Sequence, residues 1–95
     1  MKIATWNVNS LKVRLPQLLA WVAAEQPDIV CLQETKLDDP HFPRQEIEAA
    51  GYHVVFSGQK TYNGVALLAK ECPTDIVYGN PLYPDQQRRL LAATV

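Results

Sequence analysis

The sequence contains few of the features that would indicate a membrane, secreted or zinc-binding protein. Its two cysteines, Cys31 and Cys72, are too few for a disulfide framework, and no CxxC or Cys/His spacing typical of zinc is present. No apolar run approaches the roughly 20 residues that a membrane-spanning helix needs, and the N-terminus lacks a charged segment followed by a long apolar one. We therefore expect a protein of a reduced, cytoplasmic compartment with no membrane partner.

The sequence also lacks an excess of charge of either sign. Nine Lys and Arg residues stand against ten Asp and Glu residues, which gives a formal net charge of −1. The overall composition therefore does not indicate nucleic acid as a partner, although a local basic patch can bind phosphates whatever the net charge. The length of 95 residues and the hydrophobic content of 47% are typical of one small globular domain.

The first third of the sequence predicts a βαβ unit. Strand-forming residues over 2–6 end at a polar Asn and Ser cluster. An apolar stripe then indicates a helix from about residue 12 or 15 to residue 25, with Pro16 in its first turn. Four apolar residues over 29–32 follow and predict a strand that is buried on both faces. The strands of a βαβ unit are parallel.

The remaining sequence predicts one more helix and several further strands. After a polar loop over 35–44, the signals indicate a short helix over 43–50 and strands over 52–57 and 64–69, which we expect to pair as an antiparallel hairpin. A strand over 75–78, an irregular segment over 80–87 and an apolar run over 90–95 follow. The implied sheet has about five or six strands and only two helices to cover it. Either the last strand is a sheet edge or the domain continues beyond residue 95, and we favour the second interpretation.

Asn7 and Glu34 are the first candidates for function. Each lies just past the apolar part of a predicted parallel strand. The carboxyl ends of parallel strands lie at the same edge of a sheet, where ligands bind in open α/β folds. A carboxylate and an amide oxygen are hard ligands suited to Mg²⁺ or Mn²⁺. The alternative is that Asn7 is a turn former and Glu34 a solvated strand end, and the spacing alone does not decide between them.

Four motifs carry a resemblance to a known family. They are TWNVNSLK at 5–12, LQETK at 32–36, YNGVALLAK at 62–70 and QRRLLAA at 87–93. In these motifs the chain resembles the exonuclease III family, bacterial members of the endonuclease/exonuclease/phosphatase superfamily that act on abasic sites. The wider superfamily, which includes deoxyribonuclease I and lipid or sugar phosphatases, shares the Gln-Glu element, whereas the following Thr-Lys and the NGVALL run favour the DNA-repair branch.

The resemblance implies a fold and an activity. The fold is the N-terminal half of a four-layered α/β sandwich (deoxyribonuclease I-like), in which two mixed sheets pack face to face with helices outside. The activity is Mg²⁺-dependent phosphodiester hydrolysis on duplex DNA, with cleavage 5′ to abasic sites and removal of nucleotides from 3′ ends in base excision repair. Glu34 matches the metal-binding glutamate, and Asn7 matches the asparagine that organises the metal and the catalytic aspartate.

The resemblance also implies roles for residues around this pair. Asn9 would lie in the outer shell of the metal, Lys36 would contribute charge to the site, and both would also contact DNA. A set of further residues would contact DNA: Lys12, Tyr62, Asn63, Gly64, Arg88 and Arg89. The alternatives are a solvated surface for Lys12 and the arginines and a plain hairpin loop for 62–64, with Gly64 required by the backbone in either case. Neither His41 nor His53 matches the histidine of the family.

The chain departs from the family pattern in two ways. Ser10 stands where many relatives have glycine. The Asp-x-Asn element, the terminal Asp-His pair and the phosphate-contacting tyrosine of the family would lie beyond residue 95. We therefore expect residues 1–95 to be the N-terminal portion of one domain, to bind Mg²⁺ weakly and to cleave nothing. Two alternatives are a non-catalytic fragment that self-associates through an open sheet face, and another phosphatase or nuclease of the superfamily.

Overall fold

The computed structural model describes residues 1–79, 82 and 87–95. Residues 80, 81 and 83–86, which belong to the segment predicted to be irregular, lie outside the described residues. The described elements follow in chain order: β1 (Ile3–Asn7), α1 (Leu11–Glu25), β2 (Ile29–Gln33), a 3-10 helix (Asp39–His41), α2 (Arg44–Ala49), β3 (His53–Ser57), β4 (Val65–Ala69), β5 (Thr74–Tyr78) and β6 (Leu91–Thr94). None of the described helices is long and apolar enough to cross a membrane.

The strands form two sheets rather than one. The first sheet has the order β1-β2-β4-β3, with β1 and β2 parallel and the other two pairs antiparallel. Within the part of the chain that the structure describes, strands β5 and β6 pair only with each other, as a second, antiparallel sheet. The predicted α/β class with a βαβ start, a mixed sheet and a β3–β4 hairpin is confirmed. The prediction of one sheet with five or six strands is wrong, because strand propensity does not specify which edges pair.

The core lies between one face of the first sheet and a layer formed by α1 and α2, which contributes the fully buried Ile47. Leu18 and Val22 of α1 and Val30 and Leu32 of β2 are all at most 1% exposed. Ile29 and Cys31 of the same strand are only partly buried, so the prediction of a strand buried on both faces is wrong. Because successive side chains of a strand point to opposite faces, a single covering layer buries every second residue. Partial burial raises the pKa of the Cys31 thiol.

Helix α1 begins at Leu11, one residue before the earlier of the two predicted starts. The backbone N–H of Leu11 donates to the carbonyl of Thr35 at 3.0 Å, and Ser10 before it has a φ of 97°. Pro16 is therefore the sixth helical residue rather than part of the first turn, and the prediction of its place is wrong. A contact with the loop after β2 sets where this helix begins, and local sequence signals do not contain that contact.

Candidate metal and nucleic-acid site

The carboxyl ends of β1, β2 and β3 and the amino end of β4 meet at one edge of the first sheet. In the pairing register Asn7 is opposite Gln33, and Gln33 is in turn opposite Val65. Beyond the strand ends the two chains stay joined, because the N–H of Val8 donates to the carbonyl of Gln33 at 3.0 Å and that of Ser10 to Glu34 at 2.9 Å. We call this edge the rim.

Asn7 and Glu34 are in contact at the rim. Asn7 is the last residue of β1, and Glu34 directly follows β2. The Asn7 Nδ2 donates to Glu34 Oε2, while the Asn7 Oδ1 accepts the backbone N–H of Asn9 at 3.1 Å. Both ends of the amide are therefore used, and the amide orients the carboxylate. The predicted proximity of this pair is confirmed, and their roles toward a metal stay predictions.

Lys36 joins the same group of side chains. Its Nζ donates to Asn9 Oδ1 at 2.6 Å and lies 3.6 Å from Glu34 Oε1. Asn7, Asn9, Glu34 and Lys36 thus form one connected set, which we call the rim network. The sequence predicts each member separately. The Asn9–Lys36 hydrogen bond joins residues 27 positions apart in the sequence, so only the structure reveals it.

The Glu34 carboxylate of the rim network fits a hard divalent cation. The Glu34 side chain is 44% exposed, so its carboxylate can accept a further ligand from solvent. Among the residues that the structure describes, no group of three or more His, Cys, Asp and Glu side chains could hold a metal ion. One carboxylate matches the way Mg²⁺ binds, because Mg²⁺ uses one or two carboxylates and keeps waters or phosphate oxygens as its other ligands.

The backbone at the rim has an unusual conformation. Of the eight described non-glycine residues with positive φ, six lie here: Asn9, Ser10, Glu34, Lys36, Thr61 and Asn63. Such conformations cost on the order of 1–3 kcal/mol each when the residue is not Asn or Gly, and they cluster at functional sites. Hydrogen bonds across the rim hold them, including Lys36 N–H to the Asn63 carbonyl at 2.9 Å. Asn9 and Asn63 are residue types that favour this region, whereas Glu34 and Lys36 carry no such signal in sequence.

The 62–64 loop borders Glu34. An open depression of about 430 Å³ is lined by Glu34, Lys36, Gln59, Tyr62, Asn63 and Gln87. Tyr62 is 68% exposed, so its ring is available to a ligand. The structure thus brings the predicted Tyr62 and Asn63 together with Glu34 and Lys36. It adds Gln59 and Gln87, which have no distinguishing signal in the sequence.

Gly64 is required by its surroundings, as predicted. Its φ is +91°, and a Cβ at this position would lie 2.2 Å from Thr35 Oγ1. Thr35 is fully buried, and its Oγ1 has no hydrogen-bond partner among the described residues. The two residues are therefore in direct contact under the rim, with no space for a side chain at residue 64.

The basic residues predicted to contact DNA differ in their surroundings. Arg88 ties its segment to the rim: Nη1 donates to Ser57 Oγ at 3.1 Å, and its carbonyl accepts the Gly64 N–H at 2.8 Å. Gln59 Oε1 accepts the Arg88 N–H at 2.7 Å. Arg89 is exposed beside it, and Lys12 is exposed in the first turn of α1. Arg88 thus has a structural role, and DNA contact by these three residues stays a prediction.

Comparisons with known proteins give consistent relatives. Exodeoxyribonuclease III of Haemophilus influenzae is 44% identical over 94 residues, which are 98% of this chain and 35% of that protein. The solved structure of the 3′ phosphatase NExo from Neisseria, bound to a product DNA hairpin, is 55% identical with a TM-score of 0.97 over 100% of this chain and 37% of that one. An AP endonuclease structure from Archaeoglobus fulgidus is 45% identical with a TM-score of 0.93 over 98% of this chain and 36% of that one.

The chain spans about a third of the length of these relatives, at 35% to 37% of each. Their names describe exodeoxyribonuclease, 3′-phosphatase and AP endonuclease proteins, which are hydrolases. The profile of the Endonuclease/Exonuclease/phosphatase family matches residues 4–94. This match covers both strands of the βαβ unit, the rim network and the β5–β6 sheet, and the chain therefore belongs to the Endonuclease/Exonuclease/phosphatase family.

Proposed function

We propose that this chain provides half of the active site of a Mg²⁺-dependent DNA hydrolase of base excision repair. The observation that carries the proposal is the exposed Glu34 carboxylate, oriented by Asn7 and flanked by Lys36, at a depression that Tyr62 also lines. The substrates are duplex DNA with abasic sites, cut on the 5′ side, and duplex 3′ ends. Residues 1–95 form the N-terminal portion of one catalytic domain. The protein acts in the cytoplasm, in association with DNA.

Each residue of the rim network has a task in such a site. When bound, the divalent cation neutralises charge on the scissile phosphate and on the leaving oxygen. Glu34 would hold the cation, with Mg²⁺ or Mn²⁺ as the ion, and Asn7 keeps the carboxylate in place. Lys36 adds positive charge toward the phosphate, and Asn9 positions Lys36 through its hydrogen bond. The exposed ring of Tyr62 offers a surface to a nucleotide.

The relatives support this reaction class and raise one specific alternative. Exodeoxyribonuclease III and AP endonuclease are the activities named for two of them. The Neisseria relative, 55% identical, is described as a 3′ phosphatase bound to product DNA. Hydrolysis of a terminal 3′-phosphate uses the same neutralisation of phosphate charge, so a DNA 3′-phosphatase is the second candidate. A metal-dependent phosphatase acting on other substrates is the more distant alternative.

We also propose that residues 1–95 alone have no nuclease activity. Glu34 is the one carboxylate among the described residues that line the rim depression, and no described histidine lies there to transfer a proton. The sheet face opposite α1 leaves Ile3 62% exposed, and β5 leaves Tyr78 59% exposed. These exposed apolar surfaces support self-association of the chain. Sedimentation equilibrium tests this, and a chain that stays monomeric at high concentration would contradict self-association.

The decisive experiment is a cleavage assay with Mg²⁺ on duplex DNA that carries one abasic site or one 3′-phosphate. The chain is assayed alone and mixed with a second chain that supplies the part of exodeoxyribonuclease III beyond the matched third. We expect no cleavage by the chain alone and cleavage by the mixture. In the mixture Glu34→Gln should lower the rate about a hundredfold or more, because it removes the charge that holds the cation.

The matched control is Glu71→Gln, since Glu71 is exposed at the turn after β4, at the opposite edge of the sheet. It should leave the rate unchanged. An unchanged rate with Glu34→Gln would refute the metal assignment, and robust cleavage by the chain alone would refute its inactivity. Release of a 3′-phosphate without abasic-site cleavage would show that the function is that of a DNA 3′-phosphatase rather than a nuclease.

A further inference from the structure

The loop that borders Glu34 contains a chemically reactive pair of residues, Asn63 and Gly64. It is the one Asn-Gly pair in the sequence, because the other asparagines are followed by Val, Ser or Pro. Asparagine is a thermally labile residue, and a following glycine favours its deamidation because glycine has no Cβ to hinder its backbone nitrogen. Water is the only co-reactant that this reaction requires.

The reaction exchanges bonds at the side chain of Asn63. The Gly64 nitrogen loses its proton and attacks Cγ of Asn63, so an N–Cγ bond forms. The Cγ–Nδ2 bond breaks, and Nδ2 leaves as ammonia together with the proton that the Gly64 nitrogen has lost. Water then opens the resulting succinimide ring at one of its two carbonyl carbons and leaves either aspartate or isoaspartate at residue 63. No group is oxidised or reduced.

The fold holds both reacting groups in hydrogen bonds. The Gly64 N–H donates to the Arg88 carbonyl at 2.8 Å, so the attacking nitrogen is bonded to another segment of the chain. The Asn63 Nδ2, which is the leaving group, donates to Gln59 Oε1 at 3.3 Å. Attack on Cγ therefore requires that the bond between Gly64 and Arg88 opens first.

A small set of contacts keeps this bond closed. The Arg88 N–H donates to Gln59 Oε1 at 2.7 Å, and Arg88 Nη1 donates to Ser57 Oγ at 3.1 Å. We call Ser57, Gln59 and Arg88 the latch. Arg88 is exposed and lies outside the helices and strands. Exposed segments of this kind open locally at a small part of the free energy of global unfolding, so the Gly64 nitrogen can be freed while the core stays folded.

Asn9 provides an internal comparison at the same rim. Asn9 and Asn63 both have positive φ, at 46° and 56°. The N–H that follows Asn9 is also bonded, because Ser10 donates to the Glu34 carbonyl at 2.9 Å. Ser10, however, has a Cβ that hinders its nitrogen, and the Asn9 side chain is bonded to Lys36 rather than to the latch. The glycine and the latch, rather than backbone conformation, therefore distinguish Asn63 from Asn9.

We propose that Asn63 is a deamidation site of the rim, and that the latch controls its conversion to aspartate or isoaspartate. The consequence for the reaction rests on the proposed function. A carboxylate at residue 63 would lie in the rim depression together with Glu34 and Lys36. Isoaspartate would also lengthen the backbone at the residue whose carbonyl accepts the Lys36 N–H at 2.9 Å. Deamidation thus adds negative charge where the phosphate of the substrate is to bind.

The test is peptide mapping of the whole chain by mass spectrometry during incubation in mildly alkaline buffer. Trypsin cleaves after lysine, so Asn63 lies in the 61–70 peptide and Asn9 in the 3–12 peptide. Electron-transfer fragmentation distinguishes isoaspartate from aspartate. We expect conversion of Asn63 and not of Asn9. Gln59→Ala should raise the rate at Asn63 about tenfold, because it removes two hydrogen bonds that hold the latch and the leaving amide.

Two matched variants serve as controls. Gln45→Ala removes an exposed glutamine side chain from α2 and should leave the rate unchanged. Asn63→Gln keeps the amide on a longer side chain, which disfavours ring closure, and should abolish the mass change of the 61–70 peptide. Circular dichroism confirms that each variant is folded. If Gln59→Ala converts Asn63 no faster than the unaltered chain, or if neither converts it, the proposal is wrong. Equal acceleration at Asn9 and Asn63 would indicate general loosening of the rim and would also contradict control by the latch.

The outcome is separable from that of the proposed function. Conversion of Asn63 is read from peptide masses alone and needs no cleavage of DNA. In the complemented mixture Asn63→Asp should lower the cleavage rate about tenfold, because the added charge repels the phosphate. An unchanged or higher rate would refute this effect of deamidation on the reaction. An unchanged rate with Glu34→Gln would refute the metal site and leave the deamidation site in place.

Discussion

The two edges of the four-stranded sheet use polar side chains in different ways. At the edge opposite the rim, where β1 and β2 begin, polar groups bond to backbone: Asp28 Oδ2 accepts the N–H of Lys2 at 2.7 Å, and Tyr52 OH donates to the Pro27 carbonyl at 2.7 Å. That edge has one pair of bonded side chains among its described residues, Lys2 with Glu25. At the rim, polar side chains also bond to backbone, but several side chains are in addition joined to one another in a connected set, as in Asn7 with Glu34 and Lys36 with Asn9. The first edge joins elements of the fold, and the second arranges functional groups.

The backbone conformations show the same difference. Six of the eight described non-glycine residues with positive φ lie at the rim, against Gln26 at the opposite edge and Asp75 in β5. Conformations of this kind lower stability and persist where surrounding bonds hold them. The cost is tolerated at the rim because the core between α1 and the sheet lies below it. Functional side chains are thus presented by the edge that holds most of the residues with positive φ.

The largest expected effect concerns one glycine at each edge. Gly64→Ala at the rim places a Cβ 2.2 Å from the buried Thr35 Oγ1 at a φ of +91°. Gly51→Ala at the opposite edge has a similar φ of +96° but nothing within 4 Å. We expect Gly64→Ala to lower the free energy of unfolding by about 3 kcal/mol, from backbone strain and overpacking, and Gly51→Ala by about 1 kcal/mol, from strain alone. Urea unfolding measures both.

A double variant separates the two causes. Gly64→Ala combined with Thr35→Ala removes the atom that the new Cβ meets, so it should be more stable than the sum of the two single changes predicts. Equal losses for Gly64→Ala and Gly51→Ala would show that the contact with Thr35 does not matter.

A smaller effect distinguishes stability from function. Tyr52→Phe leaves the Pro27 carbonyl without its partner and should lower the free energy of unfolding by about 1 kcal/mol, with no effect on cleavage by the complemented mixture. Asn7→Ala should change stability by less than about 0.5 kcal/mol, because the side chain is exposed, yet lower the cleavage rate about tenfold or more. If Asn7→Ala destabilises the chain more than Tyr52→Phe does, the distinction between the edges is wrong.

The smallest effect is a pH dependence at the edge opposite the rim. The hydrogen bond from the Lys2 N–H holds the pKa of Asp28 below its ordinary value, against the weaker opposite effect of desolvation. A carboxyl group with a lowered folded-state pKa stabilises the fold above the unfolded pKa of about 3.9, and this contribution is lost as pH falls through the folded pKa. Asp28→Asn should therefore lower the melting temperature slightly at pH 7 and not at pH 2.5. An equal effect at both pH values would contradict this account.

Much of the site could be predicted from the sequence because its signals are local. Apolar periodicity indicated the βαβ unit, and the parallel direction of its strands was enough to place Asn7 beside Glu34. The four motifs indicated the family that residues 4–94 match. The turn at Gly64 was likewise expected from its residue type.

The remaining features depend on contacts between distant segments. Strand propensity does not choose pairing partners, so the division into two sheets had to come from the structure. The start of α1 depends on a hydrogen bond to the Thr35 carbonyl. Which side of β2 is exposed depends on which face of the sheet α1 covers. The position of Arg88 depends on its hydrogen bond to Ser57. The sequence by itself determined the elements and the residues at their ends, whereas tertiary packing decided which of those residues meet, since such contacts join segments far apart in the chain.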